Sequence, residues 1–149
     1  MRIALLSNPS SGRGRHAAAD DVARRLLTEA GHEVLHVRGS SYEQARDAGR
    51  ALLGDGPHRN VEALVVVGGD GMVHLGVDIV ATTGVPLGIV ATGTGNDIAR
   101  HFGLPSRDAE ASARLMNQAL SGKGAITAVD AIYASRPDGT LLAPQRRWS

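Results

Sequence analysis

At 149 residues the chain has the length of one ordinary domain with room for a fragment of another. Its 42% apolar and 21% charged residues describe a chain that buries a core, not a disordered tail. A formal net charge of +1 provides no field to draw in nucleic acid or an acidic membrane, and the absence of cysteine excludes disulfides, thiolate metal sites and thiol catalysis. The apolar opening is too short for a signal peptide, and no apolar run approaches membrane-spanning length, so a soluble cytoplasmic protein is expected. Lys123 is the only lysine among sixteen basic residues, an Arg excess to which no function is attached.

Taken in chain order, residues 3–6 read as a short buried strand and residues 8–14 as a loop of turn formers. Ala19, Val22, Ala23, Leu26, Leu27 and Ala30 then recur at helical spacing, with Gly31 as a natural stop. Residues 33–38 read as a second strand and 41–53 as a helix with Ala45, Ala48 and Leu52 inward. A third strand, 63–67, runs into glycines and then a helix to about Val80; a fourth strand is expected over 85–91. A second glycine loop leads to a short helix near 98–102, and after Leu104-Pro105 the spacing predicts a helix over 109–120. Strand–helix alternation with continuously apolar strands predicts an α/β fold: an open, mostly parallel sheet with helices on both faces. After Gly124 the pattern changes to a hairpin, strands 126–134 and 140–142 about a turn at 137–139. The expected division is therefore an α/β nucleotide-binding domain over 1–124 and the start of a truncated, β-rich second domain over 125–149. That lone hairpin is expected to be mobile or to pair its edge with a second copy, a route to a homodimer.

The carboxyl ends of strands in such a sheet lie along one edge, where ligands bind. Three strands end there in polar or glycine-rich loops, after Leu6, Val67 and Ala91. Gly68, Gly69 and Gly71 surround Asp70, and Gly93, Thr94, Gly95 and Asn96 precede Asp97. Glycines let backbone N–H groups approach an anion, and the following helices add their positive ends, so a phosphate chain is the ligand that fits. Gly95 is expected to supply a positive φ if the loop needs one. A carboxylate beside phosphates repels them unless it holds Mg2+ or takes a proton from an attacking hydroxyl. The plainer reading makes each Asp the cap of the next helix; two such loops on one edge favour function.

Residues of the same loops bear on other chemistries. Gly12-Arg13-Gly14-Arg15-His16-Ala17 matches a dinucleotide fingerprint, but Arg38 and Gly39 follow Val37 where an acidic residue belongs. An NADP-dependent reductase using the Gly12–Gly14 loop and Arg38 is thus one alternative; a non-catalytic nucleotide-sensing module is another. No P-loop pattern occurs, and the six histidines show no metal-ligand spacing. His74 reads as ordinary packing or surface, and Arg13 and Arg15 as equally a phosphate clamp or a solvated loop face.

Asn8-Pro9-Ser10-Ser11-Gly12, Gly68-Gly69-Asp70-Gly71 and Gly93-Thr94-Gly95-Asn96-Asp97, in that order, resemble the diacylglycerol kinase catalytic-domain family, which includes bacterial lipid kinases and sphingosine kinases. The resemblance covers roughly residues 2–134. It implies an N-terminal α/β domain similar to those of phosphofructokinases and NAD kinases, a C-terminal β-sandwich, and ATP in the cleft between them. It implies that Asn8, Pro9, Ser11 and Gly12 touch the nucleotide, that the loop around Asp70 holds phosphates with Asp70 catalytic, and that Thr94 bonds to the nucleotide. Asp97 and Asp130 would organise Mg2+, and a general base would come from the second domain. The cofactors implied are ATP and Mg2+. The implied partner is a lipid substrate at the membrane surface, reached through that second domain, with no nucleic acid and no transmembrane segment; localisation is cytoplasmic or peripheral at the membrane. The 149-residue chain is expected to fold but not to catalyse. Met72, His74 and Leu75 depart from the Thr, Asn and Glu that the family usually carries there.

Overall fold

The central strands of the sheet are apolar on both faces, and successive residues feed two different cores. In β1 (Arg2–Ser7) and β3 (Ala63–Gly68), Ala4, Leu6, Leu64 and Val66 face one cluster, while Ile3, Leu5, Ala63, Val65 and Val67 face the other. The computed structural model describes residues 1–7, 15–37, 39–54, 60–131 and 137–138. Within them β2 (Glu33–Val37) and β4 (Leu87–Ala91) complete a four-stranded parallel sheet in the order β2-β1-β3-β4. This is the expected α/β class.

The helices lie where the buried faces require them. On α1 (Arg15–Glu29), Ala19, Ala23 and Leu27 pack into one cluster with Ala113 and Met116 of α5 (Ala109–Leu120). On the other face α2 (Tyr42–Leu53) and α3 (Asp70–Val80) contribute Ala45, Leu53, Met72, Val73, Leu75 and Ile79. A fifth, short helix, α4 (Asp97–His101), follows β4. Ser41 caps α2 by accepting from Gln44 N at 3.2 Å, and Asp108 caps α5 by accepting from Ala111 N at 2.9 Å.

β1 leads into a helix on one face, whereas its neighbour β3 leads into a helix on the other. The chain therefore reverses its winding between β1 and β3, and the carboxyl ends of those strands open a crevice. Register keeps the ends level: Ser7 pairs with Val67, and Gly68 with Ala91.

Two expectations are corrected. The fourth strand begins at Leu87, not at 85, since Pro86 has no N–H to give a ladder and only its carbonyl joins, accepting from Leu64 N at 3.0 Å. Residues 126–131 form no strand and are exposed, Ile126 at 60% and Val129 at 58%. An extended segment without a partner has no ladder to join. The turn at 137–138 is present, and the rest of the expected hairpin lies outside the described residues. Among the described residues no helix is long and apolar enough to cross a membrane.

Helix α3 sits so close to the sheet that Gly76 is a packing residue. A Cβ there would lie 2.7 Å from Val66 Cγ1 and 2.9 Å from Leu87 Cδ1. Alanine is the better helix former by roughly 1 kcal/mol, but Val66 is fully buried in the central sheet and cannot retreat. Overpacking should win, so Gly76→Ala is expected to cost a net ~1–2 kcal/mol in denaturant unfolding. A more stable variant would show that α3 rides higher on the sheet.

Candidate functional site

The β3–α3 and β4–α4 loops meet backbone to backbone. A Cβ on Gly93 would lie 2.7 Å from Gly69 Cα, and one on Gly69 would lie 3.4 Å from Gly93 Cα. Gly93 has no room for a side chain unless the Gly69 backbone moves, whereas a Cβ on Gly69 would make an ordinary contact. Gly71 differs: a Cβ there would meet nothing within 4 Å. Nothing in the packing asks for glycine at that place, so the bare backbone at Gly71 faces open space.

Asp70 starts α3 yet does not cap it, and α3 has no side-chain cap at all. Instead its carboxylate reaches the other loop. Oδ2 accepts from Asp97 N at 3.0 Å and Oδ1 from Ile98 N at 3.1 Å, capping α4, which has no side-chain cap of its own from Asn96. Asp70 is thus a helix cap, but of the helix after the second loop. The positive end of α4 is already matched by this carboxylate, so of these two helices the end left for an external anion is that of α3.

Asn96, 2% exposed, takes the left-handed conformation at φ 54°, while Gly95 shows no positive φ. The freedom expected of Gly95 is supplied by Asn96, whose short side chain tolerates that region. Glycine at 95 serves space instead: a Cβ would lie 3.2 Å from Asp70 Oδ2. Asn96 Nδ2 donates to Gly93 O at 2.8 Å and to Ser106 Oγ at 2.9 Å, closing the loop on itself. Its buried Oδ1 has no hydrogen-bond partner among the described residues. Arg107 Nε donates to Gly93 O at 3.3 Å, and Ser106 bridges to Ala91 beyond the end of β4. From α1, His16 Nδ1 lies 2.6 Å from Thr92 Oγ1, and Thr92 is 2% exposed. Removing such a partner leaves a buried hydroxyl unsatisfied, at about 1–3 kcal/mol.

Sequence reasoning did not find His16, Thr92, Ser106 or Arg107 as loop-holding residues. The His16–Thr92 contact spans 76 positions and the Asp70–Ile98 contact 28, and no local pattern announces either.

The expected site residues divide as follows. Gly68, Gly69, Asp70, Gly71, Gly93, Thr94, Gly95 and Asn96 come together at the sheet edge, with Thr94 exposed. Asn8, Pro9, Ser11 and Gly12 lie outside the described residues, as do Arg13, Gly14 and Arg38. Asp97 is paired with Arg100 one helical turn on and keeps a side chain 76% exposed. Asp130 lies in the exposed stretch without secondary structure. Among the described residues no group of three or more His, Cys, Asp or Glu could hold a metal. Asp97, exposed and held only by a surface pair with Arg100, fits Mg2+, which commonly takes one or two carboxylates and completes its shell with phosphates and water. Met72 is buried against Gly68, and Leu75 is buried in the core; His74 is exposed. The side chain where a hydroxyl was expected is therefore a packing residue.

Comparison with known proteins bears on the family and the fold. The family model for the diacylglycerol kinase catalytic domain matches residues 2–130. Diacylglycerol kinases from two Mycobacterium tuberculosis strains are 36% identical over 115 residues, which covers 77% of this chain and 36% of theirs. The chain thus spans about a third of the length of those relatives. A solved structure assigned to the diacylglycerol kinases, from Bacillus anthracis, superposes with a TM-score of 0.57 at 27% identity, covering 78% of this chain and 39% of that one.

The Asp70 bridge gives a prediction independent of any ligand. Asp70→Ala should free the Asp97 and Ile98 amides and cost about 1–2 kcal/mol, the usual range for a lost cap. Amide exchange should rise over 97–101 more than over β1 or β3. Asp70→Asn keeps one acceptor oxygen and should lose less. Equal exchange in parent and Asp70→Ala would remove the bridge.

Proposed function

The chain belongs to the diacylglycerol kinase catalytic domain family, and from that premise we propose that it is the nucleotide-binding wall of a lipid kinase. The full enzyme transfers the γ-phosphoryl group of ATP to a hydroxyl of a diacylglycerol-like lipid. The acceptor oxygen forms the new bond to phosphorus, the bond to the leaving ADP oxygen breaks, and the hydroxyl proton passes to a base from the second domain that the resemblance implies. One observation carries the reading: two glycine loops in backbone contact beside the reversal of winding, with Gly71 open on the same edge. In phosphoryl transfer most of the catalysis is positioning and charge stabilisation, which a rigid backbone cradle can supply.

In this reading the phosphates lie against Gly69, Gly71 and the first turn of α3, and Thr94 and the β1–α1 loop with Asn8, Pro9, Ser11 and Gly12 complete the nucleotide contacts. Asp97, joined by Asp130, would hold Mg2+, whose charge offsets that of the phosphates. Asp70, the expected catalytic carboxylate, serves first as the bridge that keeps the second loop in place; both of its oxygens already accept a backbone hydrogen bond. The acceptor is met at a membrane surface through residues beyond this wall.

Titration decides between this reading and a reductase. The 149-residue chain should bind Mg-ATP and not NADPH, and should phosphorylate no lipid in vesicles. The reverse preference would restore the reductase; robust turnover by the chain would sink the two-domain mechanism. Gly71→Ala sharpens the test. The methyl has room, and within α3 it should add up to about 0.5–1 kcal/mol of stability. It should nonetheless weaken Mg-ATP binding about tenfold by standing where phosphate approaches. Unchanged affinity in a stabilised variant would take Gly71 out of the site.

A further inference from the structure

Thr92 follows directly on β4 and roots the second glycine loop. Its side chain is buried, and its hydroxyl needs a partner. His16 provides one from the first turn of α1, the helix that follows β1, the strand on the other side of β3 from β4. The contact therefore passes across the end of β3 and ties the helix that follows the first loop to the start of the second. Either tautomer serves: the hydroxyl donates to a bare Nδ1 or accepts from Nδ1–H. Asp70 fastens the far end of the same loop at Asp97 and Ile98. Between these two fastenings lie Gly93, Thr94, Gly95 and Asn96.

We infer that His16 is a positioning residue for the second glycine loop. By clamping Thr92 it sets the spacing between the backbone of 93–95 and that of 69–71, and with it the affinity for nucleotide. The second half of that statement rests on the nucleotide reading above. A merely structural histidine would stabilise the whole sheet; a clamp acts on one loop.

Hydrogen exchange of the free chain and Mg-ATP titration test this with four variants: His16→Ala, His16→Asn, Thr92→Val and the double His16→Ala/Thr92→Val. In His16→Ala the amides of 93–98 should exchange about tenfold faster with β1 and β3 unchanged, as expected for losing one hydrogen bond to a buried group. His16→Asn places an amide atom where Nδ1 stood and should restore parental exchange. Thr92→Val removes the orphaned hydroxyl, so the double variant should be no worse than His16→Ala alone. Mg-ATP affinity should fall about 3–10-fold in His16→Ala and recover in His16→Asn. Parental loop exchange in His16→Ala, or loosening spread evenly over the sheet, would overturn the clamp. If the loop loosens and the parent itself binds no Mg-ATP, the nucleotide reading falls while the clamp stands. If the parent binds Mg-ATP and His16→Ala binds it equally well, the clamp's control of affinity is overturned.

Discussion

The approach of Gly69 to Gly93 sets the geometry of the whole sheet edge. A methyl on Gly93 would come within 2.7 Å of Gly69 Cα, so the two loops touch with nothing between them. Only at that spacing does Asp70, one residue beyond Gly69, reach across to the first amides of α4. With its helix thus started, Asn96 turns left-handed and spends its amide on Gly93 and Ser106, which brings the returning chain alongside Ala91. Each contact presupposes the one before it. The result is a cradle whose shape exists before any ligand arrives, and preorganisation of this kind lowers the ordering cost of binding.

The charge of Asp70 is easier to understand in that setting. A bare carboxylate at a phosphate site would oppose the ligand. Here two backbone N–H donors and the positive end of α4 already offset it, through hydrogen bonds of the charge-assisted kind. The carboxylate can therefore sit near an anion while acting as a brace. Asp97 is the freer of the two acids, since its partner Arg100 is an exposed neighbour and such pairs are weak, about 0.2–1 kcal/mol.

How far the sequence could be read depended on the range of the interaction. Strands such as 63–67 were legible because consecutive Val and Leu serve two cores at once, and α5 because its run follows a clear break at Leu104-Pro105. That two glycine loops meet at one sheet edge was legible from the glycines and from the order of the loops. What the glycines each do was not. The positive φ that the loop suggests at Gly95 belongs to Asn96, and the helix that Asp70 caps is not its own but another, 27 positions away. Met72, which stands where the family usually carries Thr, is a packing residue against Gly68. Contacts across tens of residues leave no periodic trace, and neither His16 nor Ser106 stands out in its local sequence.

The central claim is that the cradle of glycine backbones holds the phosphates of a nucleotide. Amide chemical-shift mapping of the 149-residue chain, titrated with a non-hydrolysable Mg-ATP analogue, tests it most directly. The claim predicts the largest saturable shifts at Gly69, Gly71, Gly93, Thr94 and Gly95, with little change along the outer face of α1 or α2. Saturable shifts confined to those helices, with the glycine amides unmoved, would contradict it.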